Sequence, residues 1–212
     1  MAATKTFVSQ VVAMYLLALR LAELRGTMER GVLKATISEV KRLPHRITEM
    51  FERDMSGVQA IAGRVAAAEF FLYLGRHVGL PVALEGALKL KEISYIATDA
   101  YAAGEMKHGP IALLDERTPV VVVATESPVL EKVISNIQEV RARGAQVIAV
   151  ATEGDEDIRQ HADEVIEVPR TQWMLAPLLA VIPLQLLAYH IARSRGLNVD
   201  QPRNLAKTVT VE

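Results

Sequence analysis

The feature that most constrains the fold is a run of four consecutive valines within the segment Pro119–Ala124. Valine is β-branched and favours extended backbone, and a strand without polar alternation is typical of a parallel sheet buried on both faces. Residues 70–74 and 146–151 form two more apolar runs, separated by stretches long enough for helices. Such strands alternating with helices predict a doubly wound α/β fold with a parallel sheet.

The first 67 residues show no strand pattern and are predicted to be helical. The predicted helices cover residues 4–25, 28–53 and 58–67. Gly26 ends the first helix, and Pro44 is expected to kink or break the second. We therefore expect residues 1–67 to form a helical segment that precedes an α/β domain over residues 68–212.

The later part of the chain is predicted to alternate between strands and helices. Ser127 is the expected N-cap of a helix that continues to residue 143. The other predicted elements are a helix at 82–96, an extended segment at 98–103, a helical turn at 111–114, a helix at 156–160, a strand at 164–168 and a helix at 173–195.

Composition excludes several classes of function. The 212 residues are 50% hydrophobic with a formal net charge of −1, and no basic run marks a nucleic-acid surface. Cys is absent, which rules out disulfides, a thiolate nucleophile and Cys-ligated zinc, and fits a cytoplasmic location. The histidines lack metal-ligand spacing, so neither a metal nor a cofactor is predicted. Prolines, Gln185 and His190 interrupt the long apolar stretch 174–191, which we interpret as a buried helix and not a membrane span.

Candidate chemistry lies in residues 83–110. Glu85, Lys89 and Glu92 share one face of the predicted helix, and most of its remaining circumference is apolar. A largely apolar helix is buried, so these charges would face a cavity or a partner. Glu92 could then move protons, and Lys89 could hold an anion. The alternative is a solvated Glu85–Lys89 pair, worth about 0.3–0.5 kcal/mol on an exposed helix.

Three loops are further candidates for a site. Residues 104–110 form a predicted loop that presents His108, although a loop histidine is often only exposed. Residues 75–79 carry Arg76 and His77 without a glycine-rich nucleotide motif. Residues 124–127 precede a helix and could meet a phosphate, but Glu126 opposes an anion there, and an ordinary N-cap is the favoured interpretation.

Three stretches together resemble one known family. They read ALEGALKLKEISYI at 83–96, AYAAGEMKHGP at 100–110 and DQPRNLAKTVTVE at 200–212. They are similar to the isomerase part of the glucosamine-6-phosphate synthase family, and the similarity extends over the whole chain. The resemblance implies a sugar isomerase (SIS) domain, a three-layer α/β/α sandwich on a flavodoxin-like parallel sheet. The chain would be the second SIS domain, preceded by the last helices of the first.

The resemblance also implies roles for charged residues. That family makes glucosamine 6-phosphate from fructose 6-phosphate and glutamine. Glu92 corresponds to the carboxylate that shuttles a proton between C1 and C2 of the sugar, supported by Lys89 and Glu85. His108 corresponds to a histidine that opens the sugar ring and reaches the site of the neighbouring subunit. Lys207 corresponds to a lysine placed over the sugar.

Two alanines occupy implied substrate-binding positions, Ala206 beside Lys207 and Ala3 near the start. Some members of the family have Ser in place of Ala3, which puts that contact in question. The implied partners are a sugar phosphate, fructose 6-phosphate or glucosamine 6-phosphate, and a second copy in a homodimer. Neither nucleic acid nor a membrane is an expected partner.

The chain lacks two features of the whole enzyme family. It has no N-terminal cysteine for glutamine hydrolysis, and the Ser/Thr-rich phosphate loops of a first SIS domain do not occur in it. We therefore expect a fragment that is inactive by itself. Two alternatives stay open: a non-catalytic SIS module that binds a phosphosugar as a signal, and a dimerisation module built on the apolar N-terminal helices.

Overall fold

The computed structural model describes residues 3–52 and 56–204. Within this part of the chain, seven α-helices and five β-strands follow one another. In chain order these are α1 (Lys5–Arg25), α2 (Arg30–Glu52), α3 (Ser56–Val65), β1 (Phe70–Gly75), α4 (Gly79–Ser94), β2 (Ala97–Ala102), β3 (Pro119–Ala124), α5 (Leu130–Arg141), β4 (Gln146–Thr152), α6 (Glu156–His161), β5 (Glu164–Val168) and α7 (Ala176–Ser194). Two short 3-10 helices, Ala103–His108 and Pro110–Leu113, connect β2 to β3.

The five strands form one parallel sheet in the order β2-β1-β3-β4-β5. Every neighbouring pair is parallel, and the register aligns Leu72 with Val120 and Val120 with Val147. This order is the flavodoxin-like arrangement, in which helices cover both faces of the sheet. The predicted α/β/α fold with helices before it is confirmed.

The alternation of side chains along the strands divides the interior into two cores. Phe71 and Tyr73 of β1 face the core formed with α3, α4 and α7. Leu72 and Leu74 face the opposite core, formed with α5, α6 and the first 3-10 helix. All six residues of β3 are buried. The valine run therefore packs against both helical layers, as its composition predicts.

Helices α4 and α7 approach each other closely at Gly86. A Cβ at this position would lie 2.7 Å from Leu184 Cδ1 and 3.0 Å from Tyr73 Cε1, so a side chain there would require Leu184 and the Tyr73 ring to shift. Helix α3 packs in the same core through residues that include Val58 and Ile61. The proposed division of the chain after residue 67 stays a prediction.

The structure differs from the sequence predictions at several element ends. Pro44 lies inside α2 and does not end it, so the predicted break is absent. Helix α5 begins at Leu130 with Val129 as its N-cap, so the Ser127 cap is wrong. The segment predicted as a loop around His108 is a 3-10 helix followed by Gly109, whose φ of 148° favours glycine.

Helix α1 exposes an apolar stripe. Met14, Leu17, Leu21 and Leu24 are exposed and follow the alternating spacing of three and four residues found in helix-pairing seams. By length and composition, two of the described helices, α1 and α7, could cross a membrane. The apolar window of α7 is 72% buried, as in a core helix, whereas that of α1 is 6% buried.

The turn from β1 to α4 provides a test of the fold. A Cβ at Gly75 would lie 2.5 Å from the carbonyl carbon of Gly79 and still closer to its oxygen, and backbone atoms cannot rotate away. We expect Gly75→Ala to lower the free energy of unfolding by about 1–3 kcal/mol, the usual cost of overpacking, in urea denaturation. Gly63→Ala is the control, because no atom outside its own stretch of α3 lies within 4 Å of a Cβ there. An unchanged urea midpoint for Gly75→Ala would contradict the close turn.

Candidate functional site

The most unusual side chain of the structure is the buried Lys89 in the middle of α4. Its side chain is 4% exposed, and its Nζ lies 2.5 Å from Glu92 Oε2 and 3.5 Å from Glu85 Oε1. Glu92 is 22% exposed and therefore opens to the surroundings. Burial of an ammonium group is costly unless it is paired, and the two carboxylates supply that pairing. The solvated-pair alternative is wrong.

The local sequence explains why the three charges meet. With 3.6 residues per turn, positions i, i+4 and i+7 fall on one side of the helix. Gly86 lets α7 pack closely beside this face, and the apolar residues Leu90 and Ile93 anchor α4 in the core. Helix α4 is buried over most of its length, as predicted, but Leu84 and Leu88 of its apolar residues are exposed on its outer face.

Burial also changes the acid–base behaviour of the cluster. Desolvation raises the pKa of Glu85 above its ordinary value, the charge and hydrogen bond of Lys89 oppose this increase, and the nearby Glu92 charge adds to it. Two carboxylates that share one ammonium therefore carry a net negative charge in a partly dry place. Such a cluster can accept a proton or hold a cationic intermediate.

A cavity of about 230 Å³ opens beside Lys89. Its wall combines the segment before α1, helices α4 and α7, and the segment after α7, and it consists of Thr4, Lys89, Ile93, Gln185, Tyr189, Val199 and Asp200. Gln185 donates a weak hydrogen bond of 3.5 Å to the backbone oxygen of Thr4. Ala3, a predicted substrate contact, is exposed next to this wall.

His108 lies in a different layer from the Lys89 cluster. It ends the 3-10 helix Ala103–His108, which we call the histidine helix, and this helix packs in the core that contains α5. Helix α4 packs on the other face of the sheet. The His108 side chain is 75% exposed, and its Nε2 lies 3.8 Å from Glu105 Oε2. The structure therefore does not bring His108 and Glu92 of one chain together.

The predicted residues Ala206 and Lys207 lie outside the described residues. The segment just before them is docked: the Arg203 backbone N–H donates to the Tyr95 hydroxyl at 2.8 Å, and the Arg203 guanidinium lies 4.1 Å from the centre of the Tyr95 ring. Asn198 holds the preceding turn by accepting from the N–H of Asp200. The tail is therefore docked on the end of α4 as far as Arg203.

In the other candidate loops the charged and aromatic side chains contact other residues of the chain. Glu126 forms an ion pair with Arg170, so the loop after β3 carries a paired carboxylate, and the cavity of about 410 Å³ beside it is lined mainly by acidic and polar residues. His77 packs against Trp173 with ring centres 4.8 Å apart and ring planes at 46°. Over residues 3–52 and 56–204, the structure contains no group of three or more His, Cys, Asp or Glu side chains suited to a metal ion.

Sequence reasoning missed most of the cavity wall. Tyr189, Val199 and Asp200 carry no spacing signal, because their proximity to Lys89 depends on how α7 packs. Gln185 offered the one usable signal, as an amide within an otherwise apolar helix.

Comparison with known proteins agrees with this architecture. The family model of the SIS domain matches residues 67–195. The chain belongs to the SIS domain family. This SIS domain chain is 56% identical over 211 residues to glutamine–fructose-6-phosphate aminotransferase (isomerizing) of a Thermus thermophilus strain, and it covers 35% of that relative. It is 50% identical to the enzyme of the same name from Methanosarcina mazei, of which it covers 34%. The chain thus spans about a third of these relatives, and the matches include all of the chain.

Solved structures agree with the assignment. The C-terminal domain of glucosamine-fructose-6-phosphate aminotransferase from Francisella tularensis has a TM-score of 0.87 at 36% identity, and the match covers 94% of the SIS domain chain and 56% of that chain. Glucosamine-6-phosphate deaminase from Thermotoga maritima has a TM-score of 0.72 at 26% identity, with 99% and 58% coverage.

The buried Lys89 leads to a prediction about stability and pH. Lys89→Met leaves Glu85 and Glu92 uncompensated, and we expect the free energy of unfolding at pH 7 to fall by about 3 kcal/mol. Without Lys89 the folded-state pKa of Glu85 rises further, because its main opposing influence is lost. An acid with a raised folded pKa favours the folded state at low pH, and this advantage is lost as pH rises through that pKa. The defect should therefore be smaller at pH 4 than at pH 7.

The measurement is urea unfolding of both proteins at several pH values. Lys91→Met is the matched control, since Lys91 is exposed on the same helix and its loss should change stability by less than about 0.5 kcal/mol. A pH-independent defect in Lys89→Met would contradict the electrostatic explanation.

Proposed function

We propose that this SIS domain is the isomerase end of a glutamine–fructose-6-phosphate aminotransferase. It would catalyse the proton transfer between C1 and C2 by which fructose 6-phosphate and ammonia become glucosamine 6-phosphate. The observation that carries the proposal is the buried Lys89 held between Glu85 and Glu92 beside a cavity. The names of the relatives support the proposal, since their sequences match this chain over its whole length.

The chemistry needs one base that serves two neighbouring carbons. Ammonia adds to the C2 carbonyl of the open-chain ketose and water leaves, which gives a C2 imine. Glu92 then removes a proton from C1 while the imine nitrogen gains a proton, and the electron pair moves to form an enolamine. The same carboxyl returns its proton to C2, and the C1 hydroxyl loses its proton as C1 becomes the aldehyde. A carboxylate can do this when both carbons lie within hydrogen-bond reach. This proton transfer requires no metal or redox cofactor.

Lys89 and Glu85 would position that base. Lys89 donates to Glu92 at 2.5 Å, and this short charge-assisted hydrogen bond fixes the place of the carboxylate. Glu85 offers the ammonium a second acceptor at the longer distance of 3.5 Å. A sensor that only binds a phosphosugar has no need of such a cluster, so the cluster favours an enzyme over the non-catalytic alternative.

The assignments of Lys207, Ala206 and Ala3 as sugar contacts remain proposals based on the resemblance. The docked segment supports the assignments of Ala206 and Lys207, because Arg203, a few residues earlier in the chain, contacts Tyr95 at the end of α4. A cytoplasmic location likewise stays a prediction.

The test of Glu92 uses a full-length protein. A chimera, in which residues 1–212 replace the matching third of the Thermus thermophilus relative, supplies the remaining parts of the enzyme. We expect Glu92→Gln to lower kcat in this chimera by about 10²–10⁴-fold with little change in KM, because the shape is kept and the base is lost. The direct measurement is exchange of the C1 proton of fructose 6-phosphate with deuterated solvent. Lys91→Met on the same helix should exchange at the wild-type rate.

Wild-type exchange in Glu92→Gln would show that another residue is the base. Sugar-phosphate binding by the chimera without any proton exchange would favour the non-catalytic module.

We also propose a homodimer in which His108 serves the partner's site. In one chain the histidine helix and α4 lie on opposite faces of the sheet, so a contact of His108 with a sugar at Glu92 needs a second chain. The exposed stripe that includes Met14 and Leu21 on α1 supports association, since exposed apolar patches of this kind mark interfaces.

Mixed dimers test this arrangement. A dimer of one Glu92→Gln chain and one His108→Asn chain contains one site with both native residues if the histidine acts across subunits, and no such site if it acts within its own chain. We expect each mixed dimer to regain about half of the wild-type activity, and an equal random mixture of the two chimeras to regain about a quarter, because effects at separate sites are independent. Light scattering gives the mass of the mixture. A mixture that forms dimers but regains no activity would contradict the proposal that His108 of one chain acts in the site of the other.

A further inference from the structure

The exposed side chain of His108 raises the question of what holds it in place. The polar group near its ring is the carboxylate of Glu105 at 3.8 Å, and that carboxylate is itself exposed. Gly109 follows with a φ of 148°, a conformation that few other residues adopt. The support of His108 must therefore come from the residues that precede it.

The apolar side chains of the histidine helix anchor it in the core. Ala103 and Met106 are fully buried in the core that also contains Ile137 and Val140 of α5. These contacts place the helix on α5 but leave its rotation to polar contacts, because apolar packing has little directional preference.

One polar contact with α5 supplies that direction. Lys107 Nζ lies 2.8 Å from Glu139 Oε1. A second polar group, Arg76, lies beside the start of the helix: its Nε donates to Asn136 Oδ1 at 3.0 Å, and a Cβ at Gly104 would lie in close contact with its guanidinium. Asn136 and Glu139, three residues apart, are neighbours on the surface of α5. Helix α5 thus contacts the histidine helix through Glu139 next to His108, and through Asn136 it holds the arginine that lies beside Gly104.

Glu139 has a second feature that folding alone does not explain. Its side chain is only 29% exposed, and its other oxygen, Oε2, is buried without a hydrogen-bond partner among the described residues. A carboxylate kept partly dry and incompletely paired is unfavourable for stability. This cost, together with the contact to Lys107, points to a role of Glu139 in positioning.

We propose that Glu139 is a positioning residue for His108, acting through Lys107, while Arg76, held by Asn136, lies beside Gly104 at the start of the same helix. The proposal rests on the role of His108 in opening the sugar ring given under Proposed function. Glu139 does not touch the sugar. Its effect is to limit the movement of Lys107 and hence of the imidazole that follows.

The test compares a cyclic with an open-chain substrate in the chimera. Fructose 6-phosphate must open its ring, whereas 5-deoxyfructose 6-phosphate lacks the hydroxyl that closes the furanose. We expect Glu139→Gln to slow C1 proton exchange on fructose 6-phosphate about fivefold, the factor that corresponds to the loss of about 1 kcal/mol from one partly exposed ion pair. Exchange on the open-chain substrate should not change.

Two further variants distinguish a loss of positioning from a general loss of structure. The double variant Lys107→Glu with Glu139→Lys reverses the charges of the ion pair and should restore the C1 proton exchange on fructose 6-phosphate that Glu139→Gln slows. Glu131→Gln, an exposed change on the same helix, should leave both substrates unaffected. If Glu139→Gln does not fold, Lys107→Met removes the same contact from its exposed side.

The outcomes are distinct. Equal slowing on both substrates, or no slowing while His108→Asn slows the cyclic substrate, would overturn the proposal for Glu139. If His108→Asn leaves the cyclic substrate unaffected, the assigned role of His108 fails, and the positioning proposal fails with it.

Discussion

A parallel sheet buried on both faces is the constraint on which the rest of the structure depends. Its strands must be joined by crossovers, so successive connections enter one or the other helical layer. Helix α4, between β1 and β2, lies in one layer, and the histidine helix, between β2 and β3, lies in the other. The two groups of candidate residues are thus kept apart within each chain by topology, and a site that uses both needs a second chain.

The buried Lys89 is tolerated because the same scaffold brings two carboxylates to it. The close turn at Gly75 and the close approach at Gly86 set α4 firmly between the sheet and α7. A cation fixed in this way loses hydration and gains directed partners, Glu85 and Glu92. Desolvation and pairing act in opposite directions on a carboxylate, and their balance is what allows a carboxylate to act as a base in a site of this kind.

The candidate site also separates groups that would react from groups that hold them. Glu92 opens to its surroundings while Lys89 behind it is buried, and His108 is exposed while Met106 and the partly buried Glu139 support it. Reactive side chains must meet a substrate, so precision has to come from neighbours within the packed layers. Under the proposal, helix α5 would serve the site without contributing to its surface, whereas the segment after α7 contributes Val199 and Asp200 to the cavity wall.

The sequence by itself determined the strands, most helix ranges and the shared face of Glu85, Lys89 and Glu92, because hydrophobic runs and helical periodicity are local properties. Its motifs also identified the SIS family. Only the tertiary structure decided that Lys89 is buried, since the same spacing occurs on solvated helices. It also placed His108 in the opposite layer and joined Lys107 to Glu139. These relations connect residues distant in sequence, and they follow from how helices pack on the sheet, which no local pattern records.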